Sequence, residues 1–498
     1  MVVGMFMAIL DIQIVSASLG EIQAGLSASP DEVAWVQTSY LIAEIVMIPM
    51  SAWLSRLLST RVLYVGSAIG FTLFSLACSS ATSLGEMVIY RALQGFIGGA
   101  MIPTVFASAF LMFPPRLRAN VSVMIGLTAT MAPTIGPTLG GWLTDTFSWH
   151  WLFLINVPFG IAVATAVWTW IDIDKPNLAL RRGFDWGGLV LMALFLGNLE
   201  YVLEEGARWD WFEDDTILGC TILAAVSGVL FFWRMLTHAD PLVELRAFRN
   251  ANFAFGSLFS FVLGIGLYGA TYMIPLFLGR VRGYDSLQIG ETMYVTGFGM
   301  FLAAPVVGNL IKYFDMRWII AVGLTLTGIA LWWTARLTKD SAFWELFGPQ
   351  VLRGFAMMFV MIPSNQVALG RLPPAALKNA AGLYNLMRNL GGAVGLAAIN
   401  TVIINRMAVH TTTLREQVTW ARSGTMEIFN GLTARFSAAS PADAGLMALK
   451  KMSLMLRQQA LTLSYDDVLT MMAMAFFLAL PMTLLLTKPS LQGGGGGH

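Results

Sequence analysis

Fourteen separate stretches of this sequence are apolar enough, for long enough, to cross a bilayer as helices, which takes about 20 residues for roughly 30 Å of hydrocarbon. They fall near 2–19, 33–55, 62–79, 85–110, 119–143, 151–171, 186–203, 216–236, 251–279, 288–311, 318–335, 344–369, 380–404 and 467–487. The expected fold class is therefore an all-α membrane protein. Of the 498 residues 56% are hydrophobic and 12% charged, against about 25% charged in soluble domains. Met1 runs straight into the first stretch with no basic leader and no small-residue cleavage site, so that stretch reads as a retained span and not a secretory signal.

Orientation follows from Lys and Arg, which gather in short cytoplasmic loops. Fifteen of the 30 lie after even-numbered stretches and in the tail, among them Arg56, Arg61, Arg118, Lys175, Lys312 and Lys378, against five in the short loops of the other face. Both termini are expected in the cytoplasm, and the even span count agrees. A formal net charge of +1 with no block of like charge excludes a nucleic-acid binder held by a basic surface. Cys78 and Cys220 sit singly in apolar stretches, and His150, His238, His410 and His498 are scattered. Neither a disulfide framework nor a metal site organises such a chain, and no cofactor is expected.

The one sizeable extramembrane segment, 405–465, repeats apolar residues at helical spacing on both sides of Ser440-Pro441: Met426, Phe429, Leu432 and Phe436 before it, Leu446, Leu449, Leu456 and Leu463 after it. A two-helix hairpin on the outer face is expected. The run Gly493 to Gly497 reads as part of a flexible tail over 488–498. The two halves share punctuation: Pro49, Arg56 and Arg61 recur 256 positions later as Pro305, Lys312 and Arg317, Met101-Ile102-Pro103 recurs as Met361-Ile362-Pro363, and Arg91 as Arg353. A same-direction repeat of six spans needs an even number of spans between its copies, which stretches seven and eight supply. The expected organisation is a six-helix bundle over 1–175, two inserted helices over 176–240, and a second six-helix bundle over 241–487 that includes the outer loop. The transport path is expected where the two bundles meet.

Polar residues inside the apolar stretches carry the chemistry. Asp11 lies in stretch one and Glu44 in the middle of stretch two. Burial disfavours a charged carboxyl and a nearby cation favours it, so such an acid can pass a proton between two exposures; a hydrogen-bonded structural acid is the alternative. Arg91, in Arg91-Ala92-Leu93-Gln94-Gly95, places a guanidinium in an apolar helix, where an unpaired charge costs about 2.5–3.5 kcal/mol. It needs a partner, either a carboxylate that it tunes or backbone carbonyls. Glu200 and Glu204, near the outer end of stretch seven, are weaker proton-coupling candidates. Gln13, Gln37, Tyr40, Gln94, Asn385 and Arg388 are candidates for the substrate path. In stretch five, Pro137 removes a backbone donor while Gly136, Gly140 and Gly141 remove bulk, so the helix can bend and another backbone can come close.

With these residues the chain resembles the fourteen-span drug:proton antiporters of the major facilitator superfamily, EmrB/QacA type, and within them the EmrB-type inner-membrane component of tripartite pumps. The resemblance rests on Leu10-Asp11, Trp35 to Tyr40, Arg91 to Gly95, the antiporter motif spacing of Gly136-Pro137 and Gly140-Gly141, and Trp149 to Gly160. The family's gating loop usually carries a glycine and an aspartate, which Ser51 to Arg56 lack, so Arg56 and Arg61 have no local acidic partner. The resemblance implies proton-driven export of amphipathic toxic compounds by alternating access across a bacterial inner membrane. It also implies that the 405–465 hairpin meets a periplasmic adaptor protein, which in turn meets an outer-membrane channel. The motifs do not separate multidrug export from export of one endogenous metabolite or siderophore. A membrane-embedded transferase would need a catalytic constellation near a membrane face, and no pairing of histidine with an acid supplies one.

Overall fold

The computed structural model describes residues 1–29, 32–238, 240–284, 286–336, 338–370, 372–438 and 440–486. The tail expected to be flexible, 488–498, lies outside the described residues. Among the described residues there is no strand. The first part of the chain forms α1 Val2–Ala17, α2 Leu19–Gly25, α3 Trp35–Leu58, α4 Thr60–Ser79, α5 Leu84–Gly98, α6 Met101–Met112, α7 Pro115–Thr146, α8 Trp151–Leu154 and α9 Asn156–Trp170. Next come α10 Trp186–Glu205 and α11 Asp215–Thr237, then α12 Ala251–Phe277, α13 Ser286–Tyr313, α14 Met316–Thr334, α15 Phe343–Leu369, α16 Pro374–Gln417, α17 Ser423–Ser437 and α18 Ala444–Ala479.

The expected stretches fall on helices, although 467–486 is only the end of α18 and the short element after it, and α7, which holds stretch five, is not among those that pass as membrane spans by length and hydropathy. Among the described residues twelve helices are long and apolar enough to cross a membrane, or thirteen if α1 and α2, bent by 67°, form one broken span. Stretch five falls on α7, whose 32 residues reach about 48 Å. Several helices start where a polar side chain takes up an orphan amide. Ser83 accepts from Glu86 N, Asp214 from Ile217 N and Asn250 from Asn252 N. Asp185 accepts from Gly188 N at 2.8 Å and from Arg234 Nε at 2.7 Å, which caps α10 and ties it to α11.

The two helices expected on either side of Ser440-Pro441 are there as α17 and the first part of α18, but the spans that carry them are longer than expected. α16 has 44 residues and α18 has 36, lengths of about 66 and 54 Å against roughly 30 Å of hydrocarbon. Both helices therefore continue past the bilayer, and α17 packs against α18. No glycine or proline interrupts 396–417 to stop α16, whereas Ser440-Pro441 does break the chain between α17 and α18.

Packing positions the site. α1 lies along α7, and there the glycines of stretch five matter: a Cβ on Gly136 would sit 2.4 Å from Gln13 Cβ, and one on Gly140 would sit 2.9 Å from the Ile14 carbonyl. α7 in turn lies along α13 of the second part of the chain. α10 packs on both α3 and α16, in the seam between the two parts. The Trp35 and Tyr201 rings stack 5.4 Å apart on one side of the seam, and Trp211 Nε1 donates to Thr401 Oγ1 at 3.0 Å on the other.

Candidate functional site

Arg91 has the carboxylate partner that its position demands. Its Nη1 donates to Asp11 Oδ2 at 2.5 Å and to Gln94 Oε1 at 2.7 Å, and its Nε donates to the Val36 carbonyl at 3.1 Å. The other Asp11 oxygen accepts from Asn156 Nδ2 at 2.7 Å and Gln94 Nε2 at 3.2 Å. Ser75 Oγ accepts from the same two amides, at 3.3 and 2.7 Å. The Tyr40 ring centroid lies 4.2 Å from Arg91 Cζ, a cation–π contact. Side chains or carbonyls of α1, α3, α4, α5 and α9 thus meet at one point, and both charged groups of the pair are 0% exposed. Gly95 permits this arrangement, because a Cβ there would lie 2.4 Å from the Tyr40 carbonyl.

A second, separate feature is a cavity of about 330 Å³ between the two parts of the chain. Its polar lining includes Gln13 from α1, Gln37 and Glu44 from α3, Glu200 and Glu204 from α10, and Asn389 from α16. Tyr268, Tyr272 and Arg280 line it from the α12 side, and Pro137 from α7. Glu44 is buried and makes no hydrogen bond or ion pair with another described residue. Glu200, also buried, keeps its Oε2 without a hydrogen-bond partner. Two rings are pinned: Tyr268 Oη donates to Asn389 Oδ1 at 3.3 Å and Tyr272 Oη to Asn400 Oδ1 at 3.0 Å. The lining comes from the first half of α3 and the last turns of α10.

The opposite end is tied shut. Lys378, at the start of α16, donates from Nζ to Asp174 Oδ2 at 2.5 Å and to the Ser55 carbonyl at 3.0 Å. Asp174 Oδ1 accepts from Thr60 N at 2.9 Å at the start of α4. Arg118 Nη1 reaches the Gly370 carbonyl at 3.2 Å, and Gln366 Nε2 reaches Ser122 Oγ at 3.0 Å. The acid that the loop before Thr60 lacks is thus supplied by Asp174, 114 positions along the chain. Arg61 instead lies 5.2 Å from the Trp168 ring centroid.

The expected site residues divide into four groups. Glu44, Glu200, Glu204, Gln13 and Gln37 line the cavity, with Pro137 among them. Asp11, Arg91, Gln94 and Tyr40 form the sealed cluster. Asn385 and Arg388 bond to each other at 2.5 Å, with Phe106 5.3 Å from Arg388 Cζ. Gly136 and Gly140 face α1, and Gly141 is buried beside them. Sequence reasoning did not single out Asn156, Ser75, Asp174, Lys378, Tyr268, Tyr272 or Arg280. Asp174 carried no distinguishing signal, because Asp172 stands two positions before it in the same loop. In the second part of the chain the repeat partner Arg353 is 2% exposed and donates to Thr296 Oγ1 at 2.8 Å and Gln350 Oε1 at 3.0 Å, with no carboxylate among its described partners.

The sequence matches the Major Facilitator Superfamily over residues 1–396. It is 45% identical to the colistin resistance protein EmrB of Acinetobacter baumannii over 98% of this chain and 95% of that one. It is 28% identical to the multidrug export protein EmrB of Escherichia coli K12 over 99% of this chain and 95% of that one. Among solved structures, an inward-facing, unoccupied bacterial homologue of the human lysosomal transporter Spinster superposes with a TM-score of 0.55 at 16% identity, covering 98% of each chain. That likeness shows the fold, and the sequence matches carry the family. This multi-pass helical chain belongs to the major facilitator superfamily, among its EmrB-type drug:proton antiporters.

Proposed function

We propose that this protein exports amphipathic toxic compounds across a bacterial inner membrane in exchange for protons, with Glu44 as the proton carrier. The observation that carries the assignment is the contrast between the two acids of stretches one and two. Asp11 has both oxygens hydrogen-bonded and is sealed from the cavity, whereas Glu44 is unpaired and lines it. A carboxyl held as half of a buried ion pair is costly to protonate; one that faces a cavity without a partner can lose and regain its charge as the exposure changes. Protonation of Glu44 favours one facing, and substrate competes for the deprotonated state. One proton moving down about 100 mV supplies about 2.3 kcal/mol, enough for roughly a 50-fold gradient of a neutral substrate.

The structure corresponds in this reading to the outward-facing state, with the Asp174–Lys378 tie as the inner gate. We read fourteen spans as six plus two plus six, over 1–175, 176–240 and 241–487, with both termini cytoplasmic and no cofactor beyond the proton gradient. The projecting ends of α16 and α18 with α17 would meet a periplasmic adaptor, and through it an outer-membrane channel. The names of the two relatives, one for colistin resistance and one for multidrug export, support the choice of drug export.

The test is reconstitution in liposomes under an imposed pH gradient with a panel of amphipathic cations and weak acids. Glu44→Gln should abolish gradient-driven flux while substrate binding persists. Flux in wild type that ignores the gradient would refute antiport, and gradient-driven flux that survives Glu44→Gln would refute the carrier.

A further inference from the structure

The two inserted helices look like a linker in the sequence, yet α10 forms a wall of the central cavity and brings two carboxylates to it. Glu200 and Glu204 stand four residues apart, one helical turn, and so share a face of α10. Both line the cavity. Glu200 is 5% exposed, and its Oε2 is buried without a hydrogen-bond partner. A buried, unpaired carboxylate oxygen is expensive to retain unless something else satisfies it. Among the described residues no basic side chain forms an ion pair with it. Among the described lining residues the carboxylates are Glu44, Glu200 and Glu204, and the only basic side chain is Arg280. The rest of the wall is largely apolar or aromatic, including Ile12, Leu41 and Ile45, together with the pinned rings of Tyr268 and Tyr272.

We propose that Glu200 and Glu204 of α10, with the Tyr268 and Tyr272 rings, form the recognition site for a cationic amphiphile, so that the inserted helix pair sets the charge selectivity of the cavity. This rests on the export reading above and narrows it to a substrate class. The chemistry is complementary at each wall. A delocalised or ammonium cation gains from two carboxylates and from aromatic faces, and its apolar body fits a cavity of about 330 Å³ lined by aliphatic residues. An anion of the same shape meets the same apolar wall but has only Arg280 to set against three acids. α10 can do this because it packs on α3 and on α16 at once, so its Glu200 face is held at the junction of the two parts of the chain. A cation held at Glu200 and Glu204 favours the charged form of Glu44 in the same cavity, and a proton taken up by Glu44 weakens the hold on the cation, which couples substrate release to proton entry. The other titratable groups facing this site are Glu44 from α3, Arg280, Tyr268 and Tyr272 from the α12 side, and Arg388 from α16, which sits next to the lining residue Asn389.

The test uses two ions of matched size and shape and opposite charge, tetraphenylphosphonium and tetraphenylborate, titrated by calorimetry against the purified full-length protein. A unit charge about 8 Å from a carboxylate at an effective dielectric of about 20 gains on the order of 30-fold in affinity. Wild type should prefer the phosphonium. Glu200→Gln with Glu204→Gln should weaken phosphonium binding by about 30-fold or more, one such factor for each carboxylate that carries its charge, while leaving borate binding equal or tighter. Glu200→Asp with Glu204→Asp should restore most of the preference. If the Gln pair does not fold, carbodiimide labelling of the wild type replaces it, because phosphonium and not borate should protect Glu200 and Glu204 in the peptide map. Phosphonium affinity that is unchanged in the Gln pair, a wild type that prefers borate, or labelling that both ions block equally would overturn the proposal. Selective phosphonium binding by a protein that moves nothing under a pH gradient would instead count against export and leave this site standing.

Discussion

Asp11→Asn tests the sealed cluster most sharply, because the structure shows what the substitution strands. Arg91 loses the one carboxylate among its described partners, and its Nη2 already lacks a hydrogen-bond partner. The new side chain keeps a single acceptor oxygen, which can serve Arg91 or the Gln94 and Asn156 amides but not all three. An uncompensated charge in a site that is 0% exposed costs about 3–5 kcal/mol. At about 1 °C per kcal/mol for a chain of 498 residues, the Tm should fall by about 3–5 °C. Cys78 is a built-in reporter, fully buried with its Sγ 3.7 Å from Gln94 Oε1. In a Cys220→Ser background, a thiol-reactive fluorophore follows exposure of Cys78 as the detergent-solubilised protein is heated. Adding Arg91→Gln to Asp11→Asn removes the stranded charge and should recover about half the loss or more. An Asp11→Asn protein that melts within about 1 °C of its parent, or a double variant whose loss equals the sum of the singles, would show that the ion pair does not hold the five helices together.

Three further outcomes follow from the geometry. Lys378→Glu should open the inner end and shift the population toward inward-facing molecules by about tenfold, since the pair is only 12% and 24% exposed and so is worth more than a surface pair. Spin labels across the cytoplasmic end read the distance, and Asp174→Lys in the same chain should reverse the shift. Gly140→Leu should destabilise by about 1–3 kcal/mol through overpacking, because even a Cβ meets the Ile14 carbonyl at 2.9 Å, whereas Gly66→Ala, with open space around its Cβ, should leave the Tm unchanged or raise it; equal effects at the two glycines would contradict the α1–α7 packing. Replacing 418–443 with a short Gly-Ser linker should leave the melting of the bundle unchanged and abolish capture by a periplasmic adaptor in a crosslinking assay, and retained capture would move that contact elsewhere.

The helices and their order were legible in the chain itself, because a bilayer accepts only segments that satisfy their own backbone, and such segments announce themselves as long apolar runs. The same physics made Arg91 readable as a residue in need of a partner, and made Gly136 and Gly140 readable as a place where a second backbone approaches. A run of residues does not say where a helix stops once it leaves the membrane. α16 continued to Gln417 because nothing in 396–417 breaks it, so the expected hairpin of α17 and α18 is joined to a helix that runs well past its apolar stretch.

Which acid met which base was decided by tertiary structure alone. Asp11 and Glu44 were equivalent candidates in the sequence, each a lone carboxyl in an apolar run, and the fold sealed one against Arg91 and left the other on a cavity. Asp174 and Lys378 are 204 positions apart, and only the meeting of the two bundles makes them a pair. Glu200 and Glu204 read as acids near a solvated helix end, yet α10 in the seam turned them inward. Hydropathy is a property of each segment alone and survives in the sequence. Charge pairing depends on distances between segments, which exist only once the helices have packed.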